Sequence, residues 1–298
     1  MHRMADPPPS PAAAPHPDPV AFAFVRELAG ELSNGRLELP AFPDVVVRLR
    51  QLLADEFASS RQIERVISVE PALAAQLITM ANSVAFNPSG PRIADLKSAI
   101  TRVGLNMVRN VALAFAMRQM RQAPDLRTLR EPLAELWNRS VQVAALSYVV
   151  ARGHSPENPD TALLAGLLHG VGKLYVLTRA RRHPGLFADP VAYRRIVRDW
   201  HGPIARAILE NWDVGEGIVN AIGQFEDLRR QHIGPNDLGD VLTVANLMAA
   251  FVDHPGDIEL NMQGVTAFRR MGLDQQDAER ILADTAAEVA SLRAALGE

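Results

Sequence analysis

The sequence predicts an all-α protein, and three observations carry that prediction. Alanine, leucine and arginine, which favour helices, are abundant, whereas aromatic residues make up only 5% of the 298 residues. Apolar residues recur at helical spacing along most of the chain. No segment sustains the alternation of apolar and polar residues that is typical of a strand. We therefore expect twelve or more helices in two packed lobes, divided near residue 125.

The composition excludes several classes of protein. Hydrophobic residues make up 48% of the chain, which is enough for a large core, and the formal net charge is −3. The absence of cysteine excludes disulfides, thiolate nucleophiles, iron–sulfur clusters and cysteine zinc sites. A near-neutral chain is not expected to bind nucleic acid over its whole surface. Any metal ion would have to be held by the 8 histidines and 34 acidic residues.

Residues 1–19 are rich in proline and alanine, and we expect them to form a disordered tail. They do not resemble a signal peptide, because the prolines and Asp6 interrupt the apolar stretch that export requires. The best membrane-span candidate, Val141–Val150, is far shorter than the roughly 20 residues that a bilayer needs. We therefore predict a cytoplasmic protein without membrane insertion.

Residues 20–125 are predicted to form the N-terminal helical lobe. Apolar spacing predicts a helix over Val20–Leu32, which ends before an Asn-Gly pair, and a second helix from about Asp44. A capping-box pattern, Ser59 followed by Gln62, predicts the start of a third helix.

Further helices are expected in the remainder of this lobe. Pro71 suits the first turn of a helix. A short helix over Leu96–Val103 is predicted to end at Gly104, and a long, mostly buried helix is predicted over Leu105–Met120.

Residues 126–298 are predicted to form the second lobe with a helical C-terminal extension, and we see no internal repeat. The helices expected here are Glu131–Arg152, Thr161–His169, Pro190–Trp200, Pro203–Asn211, Glu216–Asp227, Asp237–Val252, Val265–Met271 and Asp274–Leu296.

Two stretches look like nucleotide- or nucleic-acid-binding motifs and fail on spacing. A helix-turn-helix centred on Gly104 would usually have a small residue four positions earlier, where Ile100 stands, and its second helix is too apolar for a DNA groove. A Walker loop needs GxxxxGK followed by Ser or Thr, but Gly166 is six residues before Gly172 and Leu174 follows the lysine. We expect both stretches to form packed core.

The histidines show no pattern that is typical of a metal site. The chain has no HxxxH, HxxEH or His-Asp pair, and His169 lies at the end of an apolar helix while His201 follows a tryptophan. A GxSxG nucleophile elbow is also missing. We therefore expect no cofactor.

Several runs, taken in this order, resemble the HDOD domain, a bacterial signalling module related to the HD-type phosphohydrolases. They are SVEPALAAQLITMANS, AITRVGLNMVRNVAL, LLAGLLHGVGKL and WHGPIARAILENWDV, and the resemblance covers roughly residues 37–250. It implies a two-lobed, all-α fold whose second lobe is similar to an HD phosphohydrolase. It also implies a site that typically lacks the metal ions of those enzymes.

The resemblance also locates the former metal-site positions. An intact HD enzyme would have histidine near position 139, aspartate at 170 and a histidine pair near 225–226. Glycine offers no ligand, and a fixed arginine charge repels a dication. We therefore expect no metal and no catalytic residue here, with the vacated site filled by an ion pair between Arg139 and Glu226. The six positions are Arg139, His169, Gly170, His201, Phe225 and Glu226.

The resemblance implies a non-enzymatic regulator that acts through protein–protein interaction in cyclic-di-GMP, motility or stress signalling. The chain contains no GGDEF, EAL, kinase or receiver sequence, so we expect its output to pass through a partner held non-covalently. A diguanylate cyclase or another regulator is the expected kind of partner. The cleft between the lobes or an exposed apolar groove is the expected place of contact.

Two alternative functions stay open from the sequence. One is a divergent phosphohydrolase or cyclic-dinucleotide phosphodiesterase that retains one metal ion through His169, His201 and Glu226. The other is a nucleotide- or nucleic-acid-binding module, although surface arginines usually form a solvated face and nucleic acid is disfavoured. The arginines that would contact an anion or a partner are Arg179, Arg181, Arg182, Arg194, Arg195 and Arg198.

Overall fold

The computed structural model describes residues 19–35, 37, 44–54, 59–121, 124–212, 214–258 and 262–297. Within these ranges the protein is all-α and contains no strand, which confirms the predicted fold class. The predicted disordered tail lies outside the described residues, except that Pro19 already begins the first helix.

The described residues form fourteen α-helices. They are α1 (Pro19–Ser33), α2 (Asp44–Ala54), α3 (Ser60–Ser68), α4 (Pro71–Ala81), α5 (Leu96–Arg121), α6 (Arg130–His154), α7 (Pro159–Leu168), α8 (Val171–Ala180), α9 (Pro190–Asn211), α10 (Glu216–Gln224), α11 (Leu238–Met248), α12 (Thr266–Met271), α13 (Gln275–Asp284) and α14 (Ala286–Leu296). Three 3₁₀ turns, Pro124–Leu129, Pro184–Ala188 and Pro255–Asp257, lie between them.

Local sequence signals explain where several helices begin and bend. The predicted capping box starts α3, because the backbone N–H of Gln62 donates to Ser59 Oγ at 3.3 Å and that of Ser59 donates to Gln62 Oε1 at 2.8 Å. Pro71 occupies the first turn of α4, as predicted. The predicted break at Gly104 is a kink within α5, where φ is +78° and glycine is the residue that adopts this conformation without strain.

The predicted helices of the second half differ from the structure in three respects. Pro190–Asn211 is one continuous helix with Pro203 inside it, because packing of α9 between α8 and α10 offsets the one backbone hydrogen bond that proline removes. The predicted helix Asp274–Leu296 is divided at Thr285, whose backbone leaves the helical conformation. The structure also has α8, which the predicted set of helices omits.

Two glycines allow the central helices to pack closely. α7 lies along α6, and a Cβ at Gly166 would be 2.5 Å from Ala144 Cα. α8 lies against α9, and a Cβ at Gly172 would be 1.9 Å from the backbone oxygen of His201. These glycines are therefore needed for helix packing. This role agrees with the sequence argument that Gly166 and Gly172 do not form a Walker loop.

The two terminal helices pack across the predicted division of the chain. α1 contacts α9 and the turn Pro184–Ala188, whereas α14 contacts α4, α5 and α6. One cluster of buried hydrophobic residues runs from Phe24 to Leu296 and includes members of both predicted lobes. The division near residue 125 stays a prediction.

One described stretch, Pro159–Ala180, is long and apolar enough to cross a membrane by length and composition alone. It consists of α7 and α8, and 72% of its most apolar window is buried against the rest of the protein. Core helices of folded proteins commonly have this composition, so the stretch is weak evidence for membrane insertion. The cytoplasmic location stays a prediction.

Candidate functional site

The structure brings the six candidate positions together where α6, α7, α8, α9 and α10 meet. Arg139 lies on α6, His169 and Gly170 connect α7 to α8, and His201 lies on α9. Phe225 and Glu226 follow directly after α10. We call the surroundings of these six residues the histidine pocket.

His169 is a buried, hydrogen-bonded residue of this pocket. Its Nδ1 lies 2.6 Å from the backbone oxygen of Gly166, and its ring meets Phe225 edge to face with centroids 5.5 Å apart. Burial lowers the pKa of His169 to about 4, and the positive charges of Lys173 and Arg139 act in the same direction. His169 is therefore neutral at neutral pH, and its Nδ1–H donates to the Gly166 carbonyl.

Gly170 is closely packed against α6. A Cβ at this position would lie 2.9 Å from Ser140 Oγ, and Ser140 is itself buried. Any larger side chain at position 170 therefore requires Ser140 to move. The glycine both lacks a ligand atom and leaves little room for one.

Glu226 is held by two basic side chains rather than one. Lys173 Nζ lies 2.7 Å from Glu226 Oε1, and His201 Nε2 lies 2.8 Å from Glu226 Oε2. Burial alone would raise the pKa of Glu226, but the hydrogen bonds from His201 and Lys173 outweigh it and lower the pKa to about 2. Both oxygens of this carboxylate are therefore engaged. Lys173 also lies 6.0 Å from the centroid of the Phe225 ring.

Arg139 points to a different neighbour. Its Nη2 donates to the backbone oxygen of Asn246 and, at 3.0 Å, to Asn246 Oδ1 on α11. Burial lowers the pKa of this guanidinium. The predicted ion pair between Arg139 and Glu226 is wrong, because α8 and α9 place Lys173 and His201 against the carboxylate while α6 packs against α11.

Two of the six candidate surface arginines have acidic partners on α1. Arg179 Nε lies 3.3 Å from Glu31 Oε1, and Arg182 Nη1 lies 3.2 Å from Glu27 Oε1. These arginines attach the first helix to the second half of the chain. Their charges are therefore partly neutralised within the protein.

The other four candidate arginines lie after α8 or in the first half of α9. Arg195 and Arg198 are strongly exposed and both lie beside Asp199, at 3.9 and 3.0 Å. Arg181 follows the end of α8, and Arg194 lies in the first half of α9. Asp199 reduces the net positive charge that this surface presents.

The sequence analysis missed a second cluster of titratable residues near the start of α11. His232, Asp237 and Asp240 place ligand atoms within 4.8 Å of one another. Arg230 pairs with both carboxylates, and Arg270 Nε lies 3.1 Å from Asp240 Oδ2. The two aspartates form the capping box of α11, a signal visible in the sequence, whereas the two arginines arrive only through the fold. This cluster is already neutralised by internal cations.

Comparison with known proteins identifies the family. The model of the HDOD domain matches residues 39–228, which is more than half of the chain. A protein from Treponema pallidum of uncharacterised function is 23% identical over an alignment of 266 residues, and the match covers 84% of this chain. The chain spans about half the length of that relative.

Solved structures of similar fold agree with this result. A protein from Shewanella amazonensis, named provisionally as a metal-dependent phosphohydrolase, has a TM-score of 0.76 at 26% identity, covering 93% of this chain and 99% of its own. An HDOD domain protein of unknown function from Geobacter sulfurreducens has a TM-score of 0.62 at 21% identity, covering 91% and 97%.

A third structure, from Marinobacter aquaeolei, is named provisionally as a signal transduction protein. It has a TM-score of 0.57 at 20% identity and covers 93% of this chain and 66% of its own. At this identity the likeness concerns the fold alone. Together with the family match over residues 39–228, these similarities show that the chain belongs to the HDOD domain family.

Proposed function

We propose that this protein is a non-enzymatic regulator in bacterial signal transduction and acts by binding partner proteins. One observation supports the proposal above all others. In the histidine pocket, the carboxylate of Glu226 is already engaged at both oxygens by Lys173 and His201. The name of the Marinobacter aquaeolei relative is in line with a signalling role.

The residues of the histidine pocket do not fit the metal ions of an HD-type hydrolase. Gly170 offers no ligand, and Lys173 and His201 already engage both oxygens of the Glu226 carboxylate. The fixed charges of Arg139 and Lys173 lie near enough to His169 to lower its pKa, so a dication there would meet two like charges in a poorly solvated site. This electrostatic cost supports the absence of hydrolase chemistry.

The alternative of a divergent phosphohydrolase with one metal ion finds less support. It requires His169, His201 and Glu226 to converge on one ion, and Lys173 would have to leave the carboxylate. Among the described residues, the three side chains that do converge at ligand spacing are His232, Asp237 and Asp240. Their arginine partners would compete with an ion for the same oxygens.

The alternative of nucleic-acid binding through the arginines also finds less support. Glu27 and Glu31 pair with Arg182 and Arg179, and the whole chain carries a net negative charge. The test is whether the protein binds DNA or a cyclic dinucleotide in a salt-dependent way. Such binding, if charge reversal at Arg181 and Arg182 abolishes it, would favour this alternative over regulation by protein contact.

A hydrolysis assay tests the non-enzymatic part of the proposal. The full chain is incubated with cyclic-di-GMP and with bis-p-nitrophenyl phosphate, each with Mn²⁺, Fe²⁺ or Zn²⁺ supplied. We expect no turnover above that of the double variant His169→Ala, His201→Ala. Metal-dependent turnover that the double variant loses would overturn this part of the proposal.

Affinity capture tests the partner-binding part. The full chain, used as bait in extracts of its native host, is expected to enrich the same signalling protein reproducibly. The purified partner should then bind the purified chain directly in a calorimetric titration. Failure to enrich any signalling protein, or failure of the purified pair to bind, would count against the proposal.

A further inference from the structure

A cavity of about 630 Å³ lies between helices of the two halves of the chain. It is lined by α2, α5, α7, Trp212 and the residues from Val214 to the start of α10. This volume is within the range of small-molecule binding sites, roughly 300 to 1,000 Å³. Apolar side chains form most of the lining, among them Val46, Leu49, Leu113, Leu164, Trp212 and Ile218.

The cavity is separate from the histidine pocket. Asp160 lines it from the first turn of α7, whereas His169 follows the other end of the same helix. Nine residues of helix separate the two positions by about 13 Å at a rise of about 1.5 Å per residue. Occupation of the cavity therefore need not involve any group of the histidine pocket.

The charged residues of the lining differ in their burial and partners. Arg109 and Glu216 are exposed, and Arg109 donates to the backbone oxygen of Leu53 at 3.3 Å. Asp160 is half-buried, and its carboxylate has no hydrogen-bond or ion-pair partner among the described residues. Among the described lining residues, two acids accompany one base.

Asp160 is held in place despite the cost of its burial. The side-chain amide of buried Asn110 on α5 donates to the backbone oxygen of Asp160 at 2.8 Å. Burial raises the pKa of the Asp160 carboxyl group. A carboxylate with no described partner in an apolar cavity favours a ligand that carries a positive charge.

We propose that this cavity is a binding site for a small organic cation, an amine with an apolar aryl or alkyl body whose ammonium group pairs with Asp160. The apolar walls receive the body of the ligand, and the carboxylate accepts hydrogen bonds from its charged end. The ligand and its test are independent of any partner protein, so either proposal can fail without the other.

Three probes of similar size and different charge test the site. The full chain is titrated at pH 7.5 with phenethylamine, phenethyl alcohol and hydrocinnamate, by calorimetry and by tryptophan fluorescence, since Trp212 lines the cavity. A hydrogen bond to a charged group predicts that the amine binds about tenfold more tightly than the alcohol. The carboxylate probe should bind more weakly than both.

Two matched variants assign the effect to Asp160. Asp160→Asn keeps the side-chain shape and should remove the preference for the amine over the alcohol, without lowering the melting temperature of the ligand-free protein. Glu216→Gln removes an exposed carboxylate of the same lining and should leave amine affinity within about twofold. Equal binding of the three probes, no binding of any, or an unchanged amine preference in Asp160→Asn would overturn the proposal.

Discussion

At the scale of single residues, Glu226 links several of the helices that surround the histidine pocket. Its carboxylate lies between Lys173 on α8 and His201 on α9, and it follows the end of α10. One side chain therefore connects three helices.

Replacing Glu226 with glutamine should lower the free energy of unfolding by about 1 kcal/mol at pH 7, since the group is partly exposed and solvent weakens its ion pairs. The folded-state pKa of about 2 lies below the ordinary value of 4.5, so the carboxylate stabilises the fold above pH 4.5. That contribution is lost as the pH falls from about 4.5 towards 2. Urea unfolding at pH 7 and at pH 3 measures both effects.

The matched control is Glu135→Gln, which removes an exposed acid with no described partner. It should change stability by less than about 0.5 kcal/mol at either pH. An equal loss in the two variants, or a loss in Glu226→Gln that does not shrink at pH 3, would contradict the assigned role.

Residue types indicate which positions of the pocket suit a metal ion poorly, but they do not indicate which contacts the pocket makes. Gly170 and Arg139 are recognisable in the sequence as unsuitable ligands. The pairing of Glu226 with Lys173 depends on how α8, α9 and α10 pack, which residue types do not reveal. The surroundings of Asp160 also depend on packing. Only the folded structure shows that none of the described residues pairs with its carboxylate.

At the scale of helices, the contact between α8 and α9 depends on a missing side chain. A Cβ at Gly172 would meet the backbone oxygen of His201, whereas a Cβ at Gly30, inside α1, would meet nothing within 4 Å. The two glycines therefore make a matched pair for testing helix packing. One is required by contact, and the other only lowers helix propensity.

Gly172→Ala should lower the free energy of unfolding by about 2 to 3 kcal/mol, because α8 and α9 must move apart. Gly30→Ala should instead raise it by about 0.5 to 1 kcal/mol, because alanine favours the helix. Chemical denaturation of both variants measures the difference. A similar effect of the two substitutions would show that the α8–α9 contact is not as close as described.

The attachment of α1 to the second half of the chain gives another test at this scale. Phe24 is fully buried and its ring lies 5.3 Å from that of His183, whereas Phe22 on the same helix is 60% exposed. Phe24→Ala should cost about 3 kcal/mol or more and increase hydrogen exchange in α1. Phe22→Ala should cost no more than about 0.5 kcal/mol and leave exchange unchanged. Equal effects would contradict the described packing.

At the scale of the whole molecule, the sequence predicted the fold class better than the connections between distant segments. Helical spacing and the turn residues located most helices, because these signals act over a few neighbouring residues. The packing of α1 on α9 and of α14 on α4 depends on contacts between distant residues. Pro203 within α9 shows the same limit, since packing overrides a strong local signal.

The central claim is that the histidine pocket serves the fold of a regulator and does not hold a catalytic metal ion. The most direct test is the metal content of the purified full chain. The chain is incubated with Mn²⁺, Fe²⁺ and Zn²⁺, excess ion is removed, and the bound metal is measured by mass spectrometry. We predict far less than one equivalent of any metal, with the same value in His169→Ala. About one equivalent of metal per chain, lost in His169→Ala, would contradict the claim.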